Sequence, residues 1–378
     1  MLTFEARERL KKCKSYIFIV LTLIFLVILG SVIFNGKILA EEKKIRKPFI
    51  LLTIDGGGVR GIIPATILAE IEKRTQRPIY QMVDMIAGNS TGGIIALGLT
   101  MPDDNDKLKN KYTANDLVNL YKNKSSKIFE KSFWRRLKTG YGTWGEKYDR
   151  TNLDQILKNQ FANATLKEVI KPVLVFSYIL ELGEGRIFGS NQAKVRDEAN
   201  FYLRDVAAAT SAAPTYFSPV KISNVKKTPV KFESGGFFTE TTEIDGGVFA
   251  NNPAMLSASC VLKRKLCKPK DLIIISLGTG TLESKQFASP KTKGTLGWGV
   301  GANIIDLILS ATEDVSKWSS EALGFNLHRL QLRLNAKDSA MDDSSKENID
   351  RLIAKTNQFI KENDKVIDKI CKILNKSI

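Results

Sequence analysis

Histidine is nearly absent: His328 is the only one in 378 residues. A zinc site would need an unusual ligand set, because the common ones draw on histidine or on paired cysteines. Cysteine does not fill the gap. Cys13, Cys260, Cys267 and Cys371 contain no C-x-x-C pair, so no metal site is expected. Cys260 and Cys267 fall in a predicted helix and the basic loop after it, which favours packing over a disulfide. No G-x-x-x-x-G-K-[ST] occurs, which removes the phosphate-binding P-loop, and no segment repeats. Acidic residues are in deficit, 40 against 57 Lys and Arg, for a formal charge of +17. Such a surface is drawn to polyanions such as anionic lipid headgroups or nucleic acid; a lysine-rich solvated surface accounts for the same count. The 43% of apolar residues is ample for a substantial core.

Charge itself is missing from Tyr16 to Phe34, YIFIVLTLIFLVILGSVIF. As a helix these residues span about 28 Å, close to the hydrocarbon thickness of a bilayer. Arg7, Arg9, Lys11, Lys12 and Lys14 precede the run, and Lys37, Lys43, Lys44, Arg46 and Lys47 follow it, so the positive-inside rule sets no orientation. Ile38-Leu39-Ala40 also reads as a weak cleavage site before Glu41, and a cleaved signal peptide with secretion is the alternative. Signal-peptide apolar cores run about 7 to 15 residues, so the length favours an uncleaved single-pass membrane anchor. The predicted organisation is a basic segment, transmembrane helix and charged linker over 1–47, a main domain over 48–285, and a C-terminal region over 286–378 that ends in an amphipathic helix.

Phe49 to Ile54 is an apolar run of the kind that forms a strand buried on both faces. A glycine-rich turn follows, then helical spacing from Ile62 to Arg74 through Ile63, Ile67, Leu68 and Ile71. The pattern repeats with Met82 to Ala87, a second glycine turn and an apolar helix from Gly93 to Leu99. Two strand-turn-helix units in succession predict an α/β fold with a mainly parallel sheet. Further strands are predicted at 172–178 and at 271–277, the latter closing in Gly278-Thr279-Gly280. A helix from Phe201 to Ser211 is stopped by Pro214, a lysine-rich hairpin surrounds Asn224 to Phe238, and Phe325 to Leu332 alternates like a strand. From Glu347 to Leu374 apolar doublets recur every seven residues, which predicts one long helix with a single apolar stripe. Packing against the domain is the expectation for that stripe, ahead of contact with a membrane surface.

Residues 88 to 92, Gly88-Asn89-Ser90-Thr91-Gly92, form the G-x-S-x-G pattern of a nucleophile elbow. They stand where an elbow must, between the apolar strand Met85-Ile86-Ala87 and the apolar helix Gly93 to Leu97. The start of that helix adds a partial positive field at Ser90. Asp55-Gly56-Gly57-Gly58-Val59-Arg60-Gly61 supplies backbone amides at another helix start, suited to a developing oxyanion. Three consecutive glycines exceed what an ordinary tight turn needs. The same stretch is a formal G-x-G-x-x-G, which raises a dinucleotide-binding protein as an alternative, with Asp84 as the ribose acid. Asp84 precedes its strand instead of closing it, which favours the hydrolase. Two groups compete as base: His328, in its alternating stretch, and Asp245, at the end of a short strand entering Gly246-Gly247. Taken alone, D-G-G is an ordinary turn.

In this order, DGGGVRG, GNSTGG and DGG resemble the patatin-like phospholipase family, as do residues 207–217, AAATSAAPTYF, and Asn251-Asn252-Pro253. The likeness covers roughly residues 49 to 280. It implies a three-layer fold around a mainly parallel sheet and a lipid acyl hydrolase of the phospholipase A type that needs no cofactor. Ser90 would be the nucleophile, Asp245 the base in a Ser/Asp dyad, and Gly56, Gly57 and Gly58 the lining of the oxyanion hole. Gly61, Gly88, Gly92 and Gly246 complete the motifs. The implied partner is membrane phospholipid, on an anionic surface, and not nucleic acid; nothing in the sequence sets an oligomeric state. Asn89 stands where threonine is frequent in relatives, a change the elbow should tolerate. An aspartate of ordinary pKa, near 3.9, is a weak base for an alcohol, so the dyad requires a partly desolvated carboxylate. A lipid-binding membrane protein with a degenerate hydrolase fold is the second alternative, and the intact Ser90 and Asp245 speak against it.

Overall fold

The run Phe49–Ile54 (β1) is apolar at every position but Thr53, and it forms a strand buried along nearly its whole length. Ile50, Leu52 and Ile54 point into one core cluster and Leu51 into the other. A strand with apolar side chains on both faces is stable only with cover on both sides. The cover comes from helices on either side of an eight-stranded sheet. The structure, a computed structural model, describes residues 47–130, 145–232, 234–283 and 304–376.

The other strands of this sheet are β2 (Met85–Asn89), β3 (Val173–Ile179), β4 (Glu184–Gly189), β5 (Val220–Ile222), β6 (Thr241–Asp245), β7 (Leu272–Leu277) and β8 (Asn326–Leu330). The order is β8-β7-β1-β2-β3-β6-β5, with β4 on the other edge of β3. Pairing is parallel from β8 through β3, and β4, β6 and β5 are antiparallel. The predicted α/β class and mainly parallel sheet are thus present.

On the first face pack α1 (Ile62–Thr75), α2 (Thr91–Thr100), α3 (Ala114–Ile128), α5 (Leu203–Thr210), α8 (Lys346–Glu362) and α9 (Asp364–Lys376). Helix α4 (Thr151–Phe161) adds Leu153, Leu157 and Phe161 to the same cluster. The opposite face is covered by α6 (Ala254–Lys263), through Ala254, Ala258 and Val261. Helix α7 (Ile304–Ala322) runs beside α6. Local chemistry sets several of these ends. Thr113 and Asp116 cap each other's backbone at the start of α3, a capping box. Pro253 and Asn252 precede α6, with Asn252 accepting from Ala254 N at 3.1 Å.

One expectation needs correction. The single helix predicted over Glu347 to Leu374 is two, α8 and α9, broken at Asn363 (φ −107°, ψ 24°), whose side chain bonds back to Phe359 O at 2.9 Å. The seven-residue stripe survives the break because both helices lay it on the same core: Leu352, Ile360, Ile367, Ile370 and Leu374 are all buried. Arg74 of α1 ties the second helix down through Asp364 and Asp368. The boundary expected at residue 285 lies within one compact unit, Pro48–Ile378, with β8 inserted at the edge of the central sheet. The anchor predicted over Tyr16 to Phe34 lies outside the described residues; among those described, no helix is long and apolar enough to cross a membrane.

Candidate active site

Register on β3 brings the two halves of the site together. Strand β2 ends with Asn89 opposite Phe176, and antiparallel β6 ends with Asp245 opposite Ser177, the next rung. Because β4 occupies the other edge of β3 over the same residues, β2 and β6 share one edge and run head to head. Residues 89 and 245, 156 positions apart, therefore meet: Asn89 Nδ2 donates to Asp245 Oδ1 at 3.2 Å.

The chain turns sharply at Ser90, whose backbone sits at φ 52°, ψ −125° before α2 begins. A non-glycine residue in this region stores about 1–3 kcal/mol of strain and persists only where its surroundings impose it. Thr210 Oγ accepts the Ser90 N–H at 2.8 Å, and Ser90 O accepts the Ile94 N–H at 3.1 Å, which hold the turn from both sides. Gly92 lets the elbow lie directly on β1, since a side chain there would strike the carbonyl of Ile54. Gly88 packs on Gly92, Gly61 on Thr91 and Tyr121, and Gly246 on the Phe176 backbone and Asn89.

Asp245 is 4% exposed. Its carboxylate accepts hydrogen bonds from Gly247 N at 2.8 Å and from Asn89 Nδ2 at 3.2 Å, and the Ser90 hydroxyl beside it also favours the ionised form. Burial pushes its pKa from 3.8 up to about 6, and the three donors limit the rise. Asn89 is therefore more than a tolerated departure: it touches the acid directly.

The three loop glycines divide. Gly56 donates its N–H to Asn251 O at 3.1 Å, so that amide is committed, and its Cα faces the Ser90 side chain. Gly57 and Gly58 border the cavity that holds Ser90 and Asp245. Gly58 has φ +60°, and a side chain there would collide with the Met341 carbonyl, which also receives Val59 N at 2.9 Å. Thr279 Oγ donates to Gly56 O at 2.6 Å. The cavity measures about 990 Å³ with its mouth. Beyond Ser90 its wall is apolar, made by Leu120 and Ile128 of α3, Leu153, Leu157 and Phe161 of α4, and Phe217.

The two rival assignments fare differently. Burial, followed by the nearby Lys369, holds the His328 pKa below the usual range, and His328 is not among the residues that line the cavity. It offers Ser90 no base. Asp84 Oδ2 accepts Ile50 N at 2.7 Å, at the start of β1, whereas the glycine loop leaves the other end. The acid required for a dinucleotide site is a strand's length from its loop.

Sequence inspection did not single out Thr210, Asn251, Met341 or Arg329. The first two lie within the stretches that carry the family resemblance, so a signal was present. Arg329 and Met341 come from a region with no local motif. Arg329 forms a two-pronged ion pair with Asp55, which is 1% exposed. Burial raises the Asp55 pKa to about 7 against the pull of that arginine.

A sequence profile of the patatin-like phospholipase family matches residues 52–257. Patatin-like protein 2 of Oryza sativa subsp. indica is 30% identical over 361 residues, covering 85% of this chain and 86% of its own length. Patatin-like protein 4 of Arabidopsis thaliana is 30% identical over 339 residues, 80% of each chain. A stretch of 85% of the chain does not fit before residue 285, so the likeness continues into the C-terminal region. Human GIVD cytosolic phospholipase A2 superposes with a TM-score of 0.43 at 9% identity, over 88% of this chain and 60% of its own.

Proposed function

Because the chain belongs to the patatin-like phospholipase family, we propose that this lipid acyl hydrolase works through Ser90 as nucleophile and Asp245 as general base. One observation carries the assignment: a serine on a strained elbow stands beside a buried carboxylate at the wall of one apolar cavity. Helices on both faces of the sheet support the three-layer form of the family fold.

In the first half-reaction Ser90 Oγ attacks the ester carbonyl carbon while its proton passes to Asp245. The tetrahedral oxyanion accepts hydrogen bonds from the Gly57 and Gly58 amides, rigid donors that need no reorganisation. Collapse breaks the C–O bond, and the departing alcohol takes the proton from Asp245. Water then attacks the acyl-enzyme, gives its proton to Asp245, and the fatty acid leaves as Ser90 is restored. The acyl chain lies along the apolar wall formed by α3 and α4. A carboxylate with its pKa near 6 is a stronger base than a solvated one and remains ionised at neutral pH.

The base acts only when ionised, so kcat/KM should be level above about pH 6 and fall roughly tenfold per pH unit below it. Fatty acid release from phospholipid vesicles measures this. A flat profile between about pH 4 and 8 would remove Asp245 as the base. With a formal charge of +17, turnover on anionic vesicles should exceed that on neutral ones and weaken with salt.

The uncharged run Tyr16 to Phe34 is proposed as a single-pass anchor, on its length and apolarity. The full-length protein should then remain in the membrane pellet after alkaline carbonate extraction. Release with a new N-terminus near Glu41 would identify the segment as a signal peptide.

A further inference from the structure

Strands β1, β7 and β8 are adjacent, and their C-terminal ends are tied together by side chains. Arg329 of β8 reaches across β7, where Nη1 donates to Ser276 Oγ at 2.8 Å, and clamps both carboxylate oxygens of Asp55 at the end of β1. Glu313 of α7 takes another contact from Arg329 at 2.9 Å and also accepts from Gln331. Gln331 in turn accepts Gly280 N at 2.9 Å, three residues after Leu277, whose backbone carbonyl accepts Asp55 N at 3.0 Å. Asp55 is the residue immediately before Gly56-Gly57-Gly58.

We propose that Arg329 is a positioning residue for the reaction, holding Asp55 so that the Gly57 and Gly58 amides point at the oxyanion. The assignment rests on the roles given to Ser90 and to those two amides. A buried ion pair is a poor device for stability, since its desolvation offsets most of its attraction and an apolar pair of similar volume does as well. A guanidinium fork on a carboxylate does something else: two parallel N–H donors fix orientation as well as distance. Orientation is what oxyanion donors require, because a shift of a fraction of an ångström weakens them in the transition state and not in the ground state. The arginine lies outside the part of the chain that carries the family motifs, which end at residue 257 in the profile match. Its contribution arrives only through the sheet.

The test uses the full-length protein and a soluble p-nitrophenyl ester. Arg329→Met is expected to lower kcat about tenfold or more while KM stays within about twofold, since the acyl cavity is untouched. Phosphonylation of Ser90 by an organophosphonate should slow in parallel, because its tetrahedral adduct places an oxygen on the same amides. Arg329→Lys keeps the charge but not the fork and should recover part of the lost kcat. If Arg329→Met folds poorly, Asp55→Asn/Arg329→Met leaves no charge orphaned between the two positions and should show the same split. Wild-type kcat and phosphonylation rate in a folded Arg329→Met or double variant would overturn the proposal, as would a change confined to KM or an Arg329→Lys variant no better than Arg329→Met. Ser90→Ala run alongside separates the two levels: if it keeps turnover, the nucleophile assignment fails, and if it is inactive while Arg329→Met is normal, only the clamp fails.

Discussion

Ser90→Ala is expected to reduce ester turnover by about a thousandfold or more, Asp245→Asn by about as much, and the double variant no further. Nucleophile and base serve the same proton transfer, so once either is gone the other has nothing left to contribute. His328→Gln should stay within about twofold of the parent, because that imidazole is neutral and away from the cavity wall. Asp245→Asn carries a second signature. A carboxyl whose pKa rises from 3.8 to about 6 on folding favours the folded state at low pH, and that advantage is lost as pH rises through about 6. At pH 8 the ionised Asp245 therefore costs up to about 3 kcal/mol, and its removal should raise the melting temperature while ending turnover. Fatty acid release and thermal melts at pH 8 decide the matter. Losses that multiply in the double variant would mean two independent roles, and a His328→Gln variant as inactive as Ser90→Ala would mean a triad.

Gly58→Ala should reduce kcat by about a hundredfold, the usual loss when an oxyanion donor is displaced. Two causes act together. Alanine resists the φ of +60° found there, at about 1–3 kcal/mol, and its methyl group meets the Met341 carbonyl, a backbone atom that no side-chain rotation moves aside. The loop must shift, and the amides shift with it. KM should change little, since the apolar wall formed by α3 and α4 is remote from the substitution. A folded Gly58→Ala enzyme with normal kcat would exclude Gly58 from the oxyanion site.

Much of the candidate site follows from short stretches. A glycine on each side of Ser90, between a strand and a helix, marks a turn that packs backbone on backbone, and Gly92 against Ile54 O realises it. The glycine loop after β1 is similar, because positive φ and close approach are demands a chain meets within a few residues. Even so, three glycines alike in sequence are unlike in space. The N–H of Gly56 is taken by Asn251 O, a partner whose position depends on β6 and the turn after it. Asn89 looked like a substitution to be tolerated, and its contact with Asp245 exists only because β2 and β6 end on neighbouring rungs of β3. The seven-residue stripe after Glu347 was legible as a buried face, whereas the break at Asn363 was not, since two helices laid on one core keep the same period as one.

Local steric and hydrophobic rules act over a few residues, so the amino-acid sequence was enough to set the strand-turn-helix units, the elbow at Ser90 and the glycine turns at Gly56 and Gly246. Long-range pairing answers to sheet order and burial, which no short pattern encodes. Tertiary structure alone joined Ser90 to Asp245 across β3, raised that carboxyl to about 6 by excluding water from it, and set Arg329 on Asp55 from 274 residues away. The physical reason is common to all three: the strength and direction of a charge or hydrogen bond depend on what displaces water around it, and that is decided only when distant segments pack together.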